Sequence, residues 1–177
     1  MSIVCLGWGS LIWRPKDLQY EKPWFPDGPM AKIEFVRKSR DGRITLVLDA
    51  SADPVQTLWA KMAVEDPDAA IRSLRKREDC RKDQIGHWTN TQAAPDEFSD
   101  LPNWAAAKGV TDVIWTALPP KFDDLENTPS ADQVVRYLRG LRDEQAANAR
   151  EYVEKAPRQI DTRYRRLIEQ ELGWKSV

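Results

Sequence analysis

Apolar residues gather in short runs through the first two thirds of the chain and fall at helical spacing in the last third. The opening run, Ile3-Val4-Cys5-Leu6, breaks at Gly7-Trp8-Gly9-Ser10 and resumes at Leu11, Ile12 and Trp13 before Arg14-Pro15 ends it. A run of that length beside glycines predicts a buried strand and a turn. Residues 16–30, rich in Pro and Gly, read as a loop. Residues 33–37 and 44–48 read as strands joined across Asp41-Gly42, a tight-turn pair. Residues 56–64 alternate as a further strand. Asp66-Pro67-Asp68 marks entry to a helix over 68–79 with Ala70, Ile71 and Leu74 as its apolar positions. A brief strand at 84–88, a loop or flap at 89–100, a short helix at 104–107 and a strand at 111–118 follow.

From residue 130 the period changes. Ser130 with Gln133 forms a capping-box pattern. The helix it opens carries Val134, Leu138, Leu141, Gln145, Ala149 and Tyr152 near one face. Pro157 then starts a second, with Ile160, Tyr164, Leu167, Ile168 and Leu172 at helical spacing before Gly173. Strands first and helices afterwards argue an α+β domain with a curled mixed sheet.

Composition narrows the class. A chain of 177 residues with 41% hydrophobic and 31% charged residues is a single domain by size, long enough for a proper core. A formal net charge of −1 supplies no global field for nucleic acid or an anionic membrane, so neither is an expected partner. Eight Trp is the unusual number, and several should line a pocket or the wet margin of the core. Cys5 and Cys80 stand far apart, which disfavours a disulfide framework or structural zinc and points to a reducing, cytoplasmic setting. With His87 as the sole histidine, no multi-His metal site can form. Ser10 lies outside a Gly-x-Ser-x-Gly elbow, and Gly7-Trp8-Gly9 lacks the third glycine of a dinucleotide fingerprint.

Two features can carry chemistry. The turn at Trp8, Gly9, Ser10 and Leu11 can offer bare backbone N–H groups to an anion such as a carboxylate, although an ordinary turn has the same sequence character. Glu78 stands at a helix end after Arg75-Lys76-Arg77, where a solvated ion pair is the common alternative.

Gly-Trp-Gly-Ser-Leu-Ile-Trp-Arg-Pro at 7–15 resembles the Gly-Tyr-Gly-Ser-Leu-Ile-Trp-Arg-Pro signature of the gamma-glutamylcyclotransferases of the ChaC type, within the gamma-glutamylcyclotransferase-like superfamily. Trp8 stands where the signature has Tyr. The family's next features, in order, are similar to Phe35-Val36-Arg37-Lys38-Ser39, Gly42-Arg43-Ile44-Thr45-Leu46-Val47-Leu48, Leu58-Trp59-Ala60 and the helix ending at Arg77-Glu78. The resemblance covers roughly residues 3 to 80. It implies a small mixed β-barrel, closed or nearly so, with outer helices and a pocket at one end. The domain would span 1–177, as a barrel core with helix over 1–120 and a helical C-terminal part over 130–177.

The resemblance also implies that Trp8, Gly9, Ser10 and Leu11 hold a gamma-glutamyl moiety while Glu78 is the general acid/base. The reaction would release 5-oxoproline from a gamma-glutamyl amine, amino acid or peptide. A buried carboxylate can take the proton of the substrate's α-ammonium and hand one to the leaving amine. Ring closure is intramolecular, so the protein mainly has to hold a near-attack geometry, and the implied reaction needs no metal or organic cofactor. The competing reading is a non-catalytic module that binds a small carboxylate on the same fold. A third reading assigns partner or polyanion binding to the arginines of the C-terminal helices, although acidic residues interleave with them. The apolar faces of those helices could instead pack a second copy into a homodimer.

Overall fold

A computed structural model describes residues 2–123 and 125–177. The strands are β1 (Ile3–Gly7), β2 (Met30–Lys38), β3 (Ile44–Leu48), β4 (Pro54–Gln56), β5 (Leu58–Lys61), β6 (Ile85–Thr89) and β7 (Asp112–Thr116). The helices are α1 (Pro67–Glu78), α2 (Leu101–Lys108), α3 (Ala131–Gly140), α4 (Asp143–Lys155) and α5 (Arg163–Leu172). The α+β class is as expected; the closed barrel is not. The strands form two separate sheets, ordered β5-β1-β7-β6 and β3-β2-β4, with no ladder closing them into a cylinder among the described residues.

The physical reason lies at Thr57. The strand expected over 56–64 is a bent segment that leaves one sheet as β4 and enters the other as β5. At the bend Thr57 turns its backbone to the 28–29 segment, and its hydroxyl donates to the Pro29 carbonyl at 2.7 Å. On the opposite side, β2 meets the chain after β7 through an isolated bridge, Arg37 to Lys121, and not through a ladder. Helices and loops cover the gap.

Alternation along β1 decides what each sheet face meets. Ile3 and Cys5, with Ile114 of β7, face α1 and pack on Ala70, Ile71 and Leu74. Val4 and Leu6, with Val113 and Trp115, face the main core beside Ile33, Phe35 and Leu46 of the second sheet. Helix α1 begins where the sequence places it: the Asp66 side chain accepts from the amides of Asp68 and Ala69 at 3.3 and 3.0 Å. It ends on Asp79 in the left-handed region, at φ 50°.

The C-terminal third departs from expectation. The single helix read from Ser130 through Tyr152 is two. α3 ends at Gly140, and Asp143, at φ 48°, restarts the chain as α4. The helix assigned to start at Pro157 begins later, with Thr162 as N-cap of α5. Arg165, almost fully buried, explains the delay. Its guanidinium donates to the carbonyls of Val153, Ala156, Pro157 and Ile160, gathering the end of α4 and the following turn around one cation. The apolar faces of these helices enter the chain's own core through Val134, Leu138, Ala149, Tyr152, Val153 and Ile168. Several arginines of this part have acidic partners, as in Arg139–Glu171, Arg150–Glu154 and Arg166–Asp161. No helix among the described residues is long and apolar enough to cross a membrane.

Candidate active site

β1 delivers the chain to the turn at Trp8–Leu11, which opens into a cavity of about 920 Å³. Within the turn, Ile12 N–H donates to the Gly9 carbonyl and Arg14 N–H to the Ser10 carbonyl. The N–H groups of Gly9, Ser10 and Leu11 donate to no described protein acceptor, so they are available to an anion. Gly9 is required for a reason the sequence does not show. Its backbone is unremarkable, but a Cβ there would collide with the Tyr152 hydroxyl from α4.

Trp8 does not project into the mouth of the cavity. Its indole is 5% exposed and donates Nε1–H to the Leu46 carbonyl at 3.2 Å. The other side of the same strand residue, Leu46 N–H, donates to the Tyr152 hydroxyl at 3.1 Å. β3 is an edge strand, and two side chains from distant elements satisfy its outward groups at Leu46. Leu46 thereby ties the turn, the second sheet and α4 together. Burial pushes the Tyr152 phenol up to about 12, so it stays protonated near neutrality with its O–H available to donate.

Glu78, in the last turn of α1, lines the same cavity as Trp8, Gly9, Ser10 and Leu11. Its side chain is 15% exposed, against 7% for neighbouring Arg77. Glu78 Oε1 accepts from Arg77 Nη1 at 3.0 Å and from the Thr116 hydroxyl, at the end of β7, at 3.2 Å. Arg77 reaches the turn as well. Its Nη2 donates to Ser10 Oγ at 3.2 Å and to the Arg14 carbonyl at 2.7 Å, and its Nε to the same carbonyl. One guanidinium therefore fixes the carboxylate and the turn relative to each other, and its planar fork suits that double task.

Other groups weighed from the sequence fall elsewhere or stay inert. His87 is not among the residues lining the cavity; it pairs with Asp112 at 2.9 Å. Cys80 lines the cavity, but partial burial and the nearby Glu78 push its thiol up to about 11. Cys5 lies under α1, and burial raises its thiol well above the usual range. Among the described residues no group of three or more His, Cys, Asp or Glu is placed to hold a metal ion. Sequence reasoning missed Arg77, Thr116 and Tyr152. Arg77 was in view only as a positive neighbour of Glu78, and Tyr152 only as an apolar helix position.

No protein-family model and no curated protein sequence matches the chain. Solved structures do. A gamma-glutamyl cyclotransferase specific to glutathione, from yeast, superimposes with a TM-score of 0.55 at 13% identity, covering 99% of this chain and 100% of that one. The chain has the gamma-glutamyl-cyclotransferase-like fold. A selenomethionine-labelled structure of a yeast cyclotransferase with the same specificity gives 0.53 at 15% identity, covering 98% and 97%. Coverage is nearly complete on both sides, so the likeness of fold includes α3, α4 and α5, which the sequence resemblance did not reach.

Proposed function

We propose that the protein is a gamma-glutamyl cyclotransferase-type enzyme that releases 5-oxoproline from a gamma-glutamyl compound, with Glu78 as general acid/base. The observation that carries this reading is that Glu78 and the bare amides of Gly9, Ser10 and Leu11 share one cavity and are held together by Arg77. The amides take the α-carboxylate of the gamma-glutamyl moiety. Glu78 accepts a proton from the α-ammonium, and the freed amine attacks the γ-carbonyl carbon. The new C–N bond closes the five-membered ring. Collapse then breaks the original amide bond as Glu78 returns the proton to the leaving nitrogen. The freed carboxylate takes the ring nitrogen's second proton, which leaves with the released amine as its ammonium. Arg77 and Thr116 keep the carboxylate aimed at that nitrogen, and ring closure gains from the held geometry.

The test is a screen of gamma-glutamyl amines, amino acids and peptides for 5-oxoproline release, wild type against Glu78→Gln. Release from at least one compound is expected, falling roughly a hundredfold or more in the variant. Equal rates in the two proteins would remove Glu78 from its role. Binding of a gamma-glutamyl compound without release by the wild type would leave a carboxylate-binding module.

A further inference from the structure

The cavity is electrostatically lopsided. The chain as a whole carries a net charge of −1, yet nine of the side chains lining this cavity are cationic and four are acidic. Several of the cations are already neutralised: Arg77 by Glu78, Arg43 by Asp41, Arg14 by Glu151 and Arg81 by Asp83. Five are left, and apart from Lys16, beyond the turn that follows β1, they concentrate on one wall. Arg37 and Lys38 end β2, Arg40 follows in the turn to β3, and Lys121 lies alongside β2 through the Arg37–Lys121 bridge. Among the described residues none of these four has a carboxylate within ion-pair distance.

Arg37 is the informative member. It follows the bulge that interrupts the β2–β3 register between Phe35 and Arg37, and it is half-buried. One guanidinium nitrogen donates to the Pro119 carbonyl at 2.7 Å. Partial burial disfavours its charge, with Glu126 the main opposing influence. A half-buried guanidinium bonded to a neutral carbonyl has lost water without gaining a counterion, and an anion in the cavity would supply one. The turn amides and Glu78 already account for the gamma-glutamyl end. The unpaired cations therefore concern what lies beyond the scissile bond.

We propose that the leaving group is acidic: an amino acid bearing two carboxylates, such as glutamate or aspartate, held by Arg37, Lys38, Arg40 and Lys121. This rests on the function proposed above and narrows its substrate class, separating dicarboxylic leaving groups from neutral amines and from residues with one carboxylate. The wall also steers such a substrate into the cavity, so its advantage shrinks with added salt.

The experiment compares 5-oxoproline release from gamma-glutamyl-glutamate, gamma-glutamyl-glycine and gamma-glutamyl-ethylamide at low and high salt. It uses wild type, a Lys38→Gln/Arg40→Gln double variant on the turn, and Arg37→Gln. The kcat/KM is expected to fall by about fivefold for each carboxylate removed from the leaving group. The double variant should raise KM for the diacid while leaving the ethylamide unchanged, whether or not Arg37→Gln folds. Similar kcat/KM for all three compounds, within about twofold, would overturn the proposal. A calorimetric titration of the same compounds into Glu78→Gln separates the two ideas. Where the wild type releases nothing, the function proposed above fails, and the titration alone decides the wall. Tighter binding of the diacid, lost in Glu78→Gln carrying Lys38→Gln/Arg40→Gln, upholds it, and equal binding refutes it.

Discussion

Two carboxylates largely withdrawn from solvent, buried Glu34 and partly buried Glu78, differ most in what surrounds them. Glu34, on β2, is 3% exposed, and protein donors occupy both its oxygens: the Thr162 hydroxyl, the Phe35 amide at 2.8 Å and the Tyr164 amide at 3.2 Å. Two of those donors belong to the start of α5, so Glu34 is a latch between sheet and helix and receives the positive end of the helix. Glu78 has two donors on one oxygen and an opening of about 920 Å³ beside it. A carboxylate satisfied by protein on both oxygens organises the fold; one with an oxygen still facing a cavity can do chemistry. Burial alone does not separate the two roles.

Substitutions should pull these regions apart. Glu34→Ala strands a hydroxyl and two amides, at a cost of about 3 kcal/mol in folding stability read from the urea midpoint. Glu78→Gln keeps an acceptor for Thr116 and Arg77, and should shift that midpoint by less than about 1 kcal/mol while removing the reaction. A large stability loss at Glu78, or none at Glu34, would break the distinction.

Tyr152→Phe comes next in size. It deprives the Leu46 amide of its acceptor and should cost about 1–2 kcal/mol. Because the same hydroxyl packs on Gly9, 5-oxoproline release should fall as well, whereas Tyr137→Phe, on the neighbouring α3, should leave release unchanged.

The smallest effect sharpens the comparison through pH. Burial raises the Glu34 carboxyl above its ordinary 4.5 despite the hydrogen bonds it accepts. The folded state then holds that proton more tightly than the unfolded state. The stability this contributes is fully present below the unfolded value and is lost as pH rises through the folded one. Denaturation midpoints measured from pH 4 upward should show that component for wild type and not for Glu34→Gln. Persistence of the same slope in the variant would assign it to another group.

Much of the site's first half was legible along the chain. Strand β3 falls where alternation and the Asp41-Gly42 turn place it, and α1 lies within one residue of its expected span because Asp66, Pro67 and the left-handed Asp79 are local signals. The turn at Trp8–Leu11 and the ending at Arg77-Glu78 could also be found, since each is a short contiguous motif. What failed needed distance. The bend at Thr57 depends on Pro29, and the split of α3 from α4 and the delayed start of α5 go with a C-terminal turn organised around the buried Arg165. None of these partners is adjacent in sequence to what it changes.

By itself the sequence determined the local chemistry: a strand breaking into bare amides, a helix whose last residue is a carboxylate, and amphipathic C-terminal helices. Periodicity, caps and turn residues act within a few positions and can be read there. Only the tertiary structure decided that Arg77 joins Ser10 to Glu78, that Tyr152 makes Gly9 obligatory, and that Arg37 faces the cavity without a carboxylate partner among the described residues. Those facts rest on desolvation and hydrogen bonds between elements far apart in the chain, which exist only once the two sheets and the helices have closed around one cavity.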